Sequence, residues 1–264
     1  ESCRRTSLAT VFGRRMIIIK SPAEIEKIRV AGRVLARILR TLGESITPGV
    51  TTTADLDALA AILVKEAGGR AAFKGYMGYP AHICTSVNHQ VVHGLPSNRV
   101  LMPGDILSID MGVELDGYYA DAAVTVPIGE IAPEAQRLLD VTRQALYVGI
   151  DQAQVGKRIG DIASAIQRFV EKQGYSVVRE LVGHGVGKKI HEDPPVPNYG
   201  KPGTGPLLRE GMTLAIEPMV NQGKPQVVCL SDKWTIVTED GKLSAHFEHT
   251  VAITRKGPLI LTVE

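Results

Sequence analysis

The sequence is short of cysteine, of net charge and of long apolar runs, and each shortage removes a class of protein. Its three cysteines, Cys3, Cys84 and Cys229, are odd in number and widely spaced, with no Cys-x-x-Cys pair. Such a pattern does not build a disulfide scaffold and fits a reducing compartment. The formal net charge is only +2. Residues 1–15 carry Arg4, Arg5, Arg14 and Arg15 against Glu1, so the rest of the chain is close to neutral and slightly acidic. That leaves no basic footprint for nucleic acid on the body. No apolar stretch approaches the roughly 18 residues that a membrane span requires. Residues 1–15 also lack the apolar centre of a signal peptide.

What is present is 264 residues, 44% hydrophobic and 22% charged, an ordinary globular composition with length for a sizeable core. Met16 followed by Ile17-Ile18-Ile19-Lys20 reads as a natural start. Residues 1–15 are therefore expected to be a disordered tail, either an added extension or the remnant of an Arg- and Ser-rich transit peptide. Residues 16–264 are expected to form one catalytic domain.

The stretch Ile106–Asp121 organises the rest. Asp110 follows the apolar run Ile106-Leu107-Ser108-Ile109, which reads as a buried strand. In a straight strand Asp121 would lie roughly 36 Å away. Asp116-Gly117 falls between them, and Asp-Gly between β-prone runs signals a hairpin. A fold there pairs Leu115 with Tyr118, Gly112 with Asp121 and Asp110 with Ala123. The period of two then turns both aspartates to one face. Two carboxylates on one buried face require a proton, a cation or a metal between them.

Before the hairpin, Ser21-Pro22-Ala23-Glu24 is a capping box, and Ile25, Ile28, Leu35 and Leu39 recur at helical spacing. A second helix is predicted from Thr53 to Ala67, with Gly68 as its stop. Short strands are predicted over 81–87 and 90–93. After the hairpin the pattern restarts: helices over 133–149 and 159–173, a strand over 175–182, then strands over 212–220, 227–230, 234–238 and 245–253. Asp55-Leu56, Leu63-Val64 and Gly68 match Asp161-Ile162, Phe169-Val170 and Gly174 at a constant offset. Two helices followed by antiparallel strands, twice, predicts an α+β fold with internal pseudo-two-fold symmetry, its two sheets sharing a central cleft.

The second half supplies further acids and a histidine. His184 lies in the glycine-rich turn Gly183-His184-Gly185-Val186-Gly187 at the end of a predicted strand. The spacing is not that of a phosphate loop, and the glycines suit close backbone approach to a site. Glu217 ends an apolar run before Pro218, and Glu248 lies inside the β-prone stretch 245–251. Buried strand glutamates are rare unless paired or bound to metal. Asp110, Asp121, His184, Glu217 and Glu248 on one cleft would suit two divalent cations. The set is rich in oxygen and free of thiolate, which leans toward Mn, Co or Fe(II), with Zn allowed. Paired cations of this kind make hydroxide available near neutral pH and polarise a carbonyl.

From about Ile17 to Ile260 the chain resembles the type I methionine aminopeptidases of the pita-bread fold. The resemblance is carried by SPAEIEKIRVAG, CTSVNHQVVHGLP, DGYYADAAVT, VGHGVGKKIHEDP, GMTLAIEPM and FEHTV. It implies an α+β pita-bread fold, two pseudo-symmetric halves around a central metal cleft. It implies removal of the initiator methionine from nascent proteins with a small second residue, by water activated between two metals. Asp110 would bind one metal, Asp121 and Glu248 would bridge, and His184 and Glu217 would hold the second, Glu217 also shuttling protons. His93 and His191 would touch the substrate, near the scissile nitrogen and the carbonyl oxygen respectively. Tyr76, Tyr79, Cys84 and Trp234 would surround the side chain of the first residue, while Phe73 reads as plain core packing.

The chain departs from the family pattern at Val92, where many members have cysteine. No cysteine-rich zinc-binding extension and no large N-terminal domain is expected, and the short intervals from His191 to Glu217 and Glu248 leave out the helical insertion of type II enzymes. The expected partners are N-terminal Met peptides of nascent chains, with the ribosome as a further one, and neither nucleic acid nor membrane. The chain is expected to be a cytoplasmic monomer, or organellar if the tail is a transit remnant. The competing reading is a non-enzymatic pita-bread protein that binds peptides or ribosomes. Members of that kind have lost ligands, whereas all five ligand positions, His93 and His191 are intact here.

Overall fold

In the computed structural model, which describes residues 16–264, Asp116 and Gly117 take φ of 51° and 78° and close the hairpin expected at that dipeptide. The expected tail, residues 1–15, lies outside the described residues. Strands Ile106–Leu115 and Tyr118–Pro127 pair with Leu115 opposite Tyr118, Gly112 opposite Asp121 and Asp110 opposite Ala123. This is the register that the Asp-Gly turn demands.

The hairpin is the middle of one nine-stranded antiparallel sheet. Cys84–Val87 lies on one side, with Cys84 opposite Asp110. Glu248–Thr254 lies on the other, with Glu248 opposite Ala123. Beyond it come Thr213–Ile216, Gly183–Gly185 and Glu192–Val196. The halves thus do not keep separate sheets, as the repeat suggested. Glu248–Thr254, pairing with both Tyr118–Pro127 and Thr213–Ile216, fuses them into one. Two three-stranded sheets complete the β structure: Ser176–Val177, Met219–Asn221 and Ser244–His246; and Gln90–Val92, Ile236–Thr238 and Val227–Cys229.

Four helices cover the sheets. Helix α1 (Pro22–Glu44) starts at the Ser21/Glu24 capping box, and α2 (Thr53–Glu66) at Thr52, whose N–H donates to Asp55 at 2.8 Å. Helices α3 (Pro133–Ile150) and α4 (Ile159–Lys172) follow, and in α4 the Arg158 N–H donates to Asp161 at the same 2.8 Å. Gly68 and Gly174, past the ends of α2 and α4, both take the left-handed conformation of a helix stop. The offset match in the sequence is therefore a match of helix caps, which gives the pseudo-symmetry a physical basis. Ile28, Leu35, Leu42 and Leu56 from α1 and α2 pack with the hairpin's Leu107, Ile109 and Met111. Leu138, Leu146, Ile162 and Ile166 from α3 and α4 pack with Leu214, Ile216 and Val251. Each such side chain contributes about 1.5–3 kcal/mol when fully buried. These cores hold the sheet rigid from behind.

Several expected strands are interrupted or shortened: 81–87 pairs only over Cys84–Val87 and 234–238 only over Ile236–Thr238. The 212–220 run breaks at Glu217-Pro218, because proline has no N–H to continue the ladder, and its two pieces enter different sheets. The 245–253 run also divides between two sheets, at Phe247, whose N–H donates to the Pro218 carbonyl at 3.5 Å rather than to a ladder. Of 175–182 only Ser176–Val177 pairs.

Candidate active site

Two adjacent rows of the large sheet carry the chemistry. In the first, Cys84, Asp110, Ala123 and Glu248 stand opposite one another on successive strands. In the second, Gly112 faces Asp121, Thr250 faces Ala215, and Ala215 faces His184. The two parts of the second row join where the Thr250 hydroxyl donates to the Asp121 carbonyl at 2.8 Å, closing the gap between halves. Opposed residues of a sheet share a face, so Asp110, Asp121, His184 and Glu248 all project into one cleft. Glu217, at the strand break, completes the five residues expected from the sequence. Its carbonyl accepts a hydrogen bond from the Asn198 amide at 3.0 Å.

His184 is not in a turn, as its glycines suggested, but in strand Gly183–Gly185. A Cβ on Gly183 would sit 2.3 Å from the Ala215 carbonyl oxygen, and one on Gly185 2.3 Å from that of Asp193. The glycines let flanking strands close on the histidine. The His184 Nδ1 pairs with the Gly185 carbonyl at 2.9 Å, so Nε2 is left with a lone pair toward the carboxylates. It lies 3.7 Å from both Asp121 Oδ2 and Glu217 Oε1.

Burial and the neighbouring carboxylates hold the Asp110, Glu217 and Glu248 carboxyls well above their ordinary range. Burial pushes Asp121 up to about 7. Burial likewise lowers His93 and His184 to about 4 and His246 to about 3. At neutral pH the imidazoles are uncharged and cannot offset the acids, and no lysine or arginine lines the cleft. Asp110 Oδ1, Asp121 Oδ1, Glu248 Oε1 and His246 Nε2 are buried without any hydrogen-bond partner. Orphaned acceptors around one point, with a neutral imidazole among them, fit divalent cations.

Two overlapping groups bring ligand atoms within 4.8 Å of one another: Asp121, His184 and Glu248; and Glu217, His246 and Glu248. Glu248 belongs to both, as a bridging acid would. Asp110 joins neither group at that separation. His246, absent from the expected set, stands in its place beside Glu217, Nε2 being 3.5 Å from Oε2. The only sequence signal for it is its place two residues before Glu248; alternation does not carry across the break at Phe247.

The acids form the floor of a cavity of about 440 Å³, within the usual range for a small-ligand site. Its apolar wall is Phe73, Tyr79, Cys84 and Trp234, with Tyr79 edge-on to Trp234 at 5.0 Å. Phe73 therefore lines the cavity as well as packing in the core. The Tyr79 hydroxyl donates to the carbonyls of Ile83 and Gly94, at 3.0 and 3.2 Å. His93 precedes Gly94 with φ of 58°, a left-handed backbone that costs a non-glycine residue about 1–3 kcal/mol. His191 stands at the opposite rim. Its ring centre is 4.1 Å from that of His184, and it stacks at 5.1 Å on Tyr76, which is half-exposed at the mouth.

A sheet-borne cluster of buried acids and imidazoles, with Glu248 common to two candidate ligand groups at the floor of an apolar-walled cavity, is the arrangement of a metal-dependent hydrolase. The chain belongs to metallopeptidase family M24, whose pattern matches residues 26–255. It is 52% identical to a methionine aminopeptidase of Clostridium perfringens over 94% of this chain and 99% of that one. It is 51% identical to methionine aminopeptidase 1 of Bacillus subtilis, with the same coverage. The crystal structure of a methionine aminopeptidase from Thermotoga maritima superposes with a TM-score of 0.92 at 50% identity, covering 94% of this chain and all of that one. A prolidase from Pyrococcus furiosus shares the fold with a TM-score of 0.77 at 25% identity, this chain spanning 66% of it. The fold is thus the pita-bread fold, and the chain is a metallopeptidase of the aminopeptidase kind.

Proposed function

We propose that the chain removes an N-terminal methionine from peptides whose second residue is small, with two divalent cations held by Asp110, Asp121, His184, Glu217 and Glu248. The observation that carries this reading is the placement of uncompensated buried acids directly under an apolar, aromatic-walled cavity. Cations bound there supply positive charge that favours ionised water and polarises the scissile carbonyl. The protein's own groups do the rest. Phe73, Tyr79, Cys84 and Trp234 offer a soft, uncharged surface to a flexible thioether. Glu217, at the edge of the acid cluster, is placed to accept a proton from water and pass it to the departing amine. His93 and His191 flank the cleft as neutral imidazoles able to donate to the amide nitrogen and carbonyl oxygen. A free N-terminal amine able to reach one of the cations would make the activity exo, and the two histidine walls leave room for only a small second side chain.

All candidate ligands come from one chain, so the site needs no second copy; action as a monomer on nascent chains, in the cytoplasm and beside the ribosome, is part of this proposal. Among the described residues no helix is long and apolar enough to cross a membrane. The donor set of carboxylates and imidazole supports Mn, Co, Fe(II) or Zn. The test is hydrolysis of Met-Ala-Ser after exhaustive chelation and after separate return of each metal, with Met-Val-Ser, Met-Lys-Ser, Leu-Ala-Ser and N-acetyl-Met-Ala-Ser as comparisons. Activity should vanish on chelation and fall gradually from Ala to Val, since one or two methylenes change binding by only ~1–3 kcal/mol. Full activity in the chelated sample, or efficient cleavage of the acetylated peptide or of Met-Lys-Ser, would overturn this reading.

A further inference from the structure

A buried ion pair outside the acid cluster joins the segment before α1 to the loop that bears His191. The Lys20 ammonium lies 2.6 Å from Glu192 Oε2, and both side chains are only 3% exposed. Lys20 also donates to the Ile18 carbonyl at 3.1 Å, and its backbone N–H to the Gly211 carbonyl at 2.8 Å. It is thereby anchored to the turn that leads into strand Thr213–Ile216 and Glu217. The other oxygen of Glu192 accepts the backbone N–H groups of Lys188 and Lys189, at 2.8 and 3.2 Å. One carboxylate therefore gathers the loop backbone with one oxygen and holds the N-terminal segment with the other. Between them passes Gly187, where a Cβ would fall 2.5 Å from Lys20 Cε and 2.7 Å from Glu192 Oε1. The Gly187 carbonyl accepts the Tyr119 N–H at 2.8 Å, fastening the same loop to the edge of the hairpin. Ile190 is buried in the apolar cluster of Phe73, Tyr79 and Cys84. His191 is thus bracketed by two fixed neighbours, Ile190 and Glu192, although its own ring sits at the cleft rim against Tyr76 and His184.

We propose that Lys20, through Glu192, is a positioning residue for His191. The pair fixes the loop so that the imidazole meets the substrate without having to be ordered at each turnover. A buried ion pair is not needed for stability, since well-packed apolar residues often do as well. Its value here is directional: a charged acceptor takes two loop N–H groups and is itself aimed by a cation from a distant segment. The inference rests on the role given to His191 above.

The experiment uses the full chain loaded with Mn or Co and measures kcat, KM, bound metal and melting temperature. The variants are Lys20→Met, Glu192→Gln, His191→Ala and the Lys20→Met/His191→Ala double. Lys20→Met should lower kcat by about tenfold or more while leaving KM and metal content nearly unchanged, because only a transition-state contact is disturbed. Glu192→Gln keeps an oxygen for the Lys188 and Lys189 N–H groups and should lose less. The double variant should be no slower than His191→Ala alone, since a misplaced imidazole and a missing one are the same defect. A kcat for folded Lys20→Met equal to the parent overturns the proposal. So does a double variant slower than His191→Ala by the full Lys20→Met factor, which would mean a general structural effect. If Lys20→Met does not fold, Lys20→Arg and Glu192→Gln, each alone and combined with His191→Ala, carry the same comparison. An unimpaired His191→Ala would instead overturn the role given to His191, a failure distinct from that of the latch.

Discussion

Asp121→Asn should make the metal-free protein more stable while destroying its activity. Asp121 is 3% exposed, and one of its carboxylate oxygens has no partner. Burial raises its pKa from an ordinary 3.8 to about 7. An acid raised in the folded state holds its proton longer there than in the unfolded chain. Below about pH 4 both states are protonated and nothing is lost. As pH rises from 4 to 7 the unfolded chain ionises first, so folding becomes progressively less favourable, and above 7 the loss is complete. A displacement from 3.8 to about 7, at ~1.36 kcal/mol per pH unit, is a penalty on the order of 4 kcal/mol. Asparagine keeps the shape and an acceptor oxygen but cannot ionise. At ~2–4 °C per kcal/mol for a chain of this size, the chelated variant should melt several degrees above the chelated parent at pH 8. The two should converge toward pH 4. With both proposed cation sites saturated the order should reverse, because a ligand at 100 times its Kd adds ~2.7 kcal/mol per site, and two such gains together exceed the ionisation penalty. Thermal melts at two pH values, with and without chelator, decide the matter. A chelated Asp121→Asn that melts below the parent at pH 8 would refute the electrostatic account of the cleft.

Asp110→Asn and Glu248→Gln should each abolish turnover and leave the circular dichroism of the fold intact; residual parental activity in either would remove that acid from the metal site. His93→Ala and His191→Ala should each lower kcat by ~10²–10³ with full metal content, as expected for a positioned donor to developing charge. Loss of metal in either would make it a ligand instead. His246→Leu should weaken binding of one cation, measured calorimetrically, whereas His246→Gln, which can still reach Glu217, should retain most of it. Equal affinity in the leucine variant would show that the imidazole beside Glu217 is idle.

Where the sequence was legible, a local rule sufficed. Asp116-Gly117 sets the hairpin register, and with it the shared face of Asp110 and Asp121, because only residues tolerant of positive φ make that turn. Ser21/Glu24 marks a helix start by its own hydrogen bonds. Where it was not legible, a distant partner decided. Gly183-His184-Gly185 reads as a turn because glycine is a poor strand former, and it is a strand because the Ala215 and Asp193 carbonyls come too close for any side chain. Glu192–Val196 contains Pro194 and Pro195, which argue against a strand; it survives as the terminal strand of the sheet, where an N–H can be spared. Alternation also cannot say where a strand leaves one sheet for another, as at Glu217-Pro218 and Phe247. His246 is hidden from alternation for that reason: across the break it belongs to a different sheet from Glu248, yet its ring lies beside the Glu217 carboxylate.

Glu248–Thr254 lies between Tyr118–Pro127 and Thr213–Ile216, and is synthesised after both. During translation the first half can bury its helices against the hairpin, and the second half its own helices against Thr213–Ile216. Neither contains Glu248, the acid common to both candidate ligand groups, until this late segment leaves the exit tunnel and slots in as a keystone. Under the proposed function, cation capture would therefore close biogenesis rather than nucleate it, and a chain stalled short of Glu248 would carry two half-sites facing an open seam. Proteolytic power is withheld until the molecule is whole.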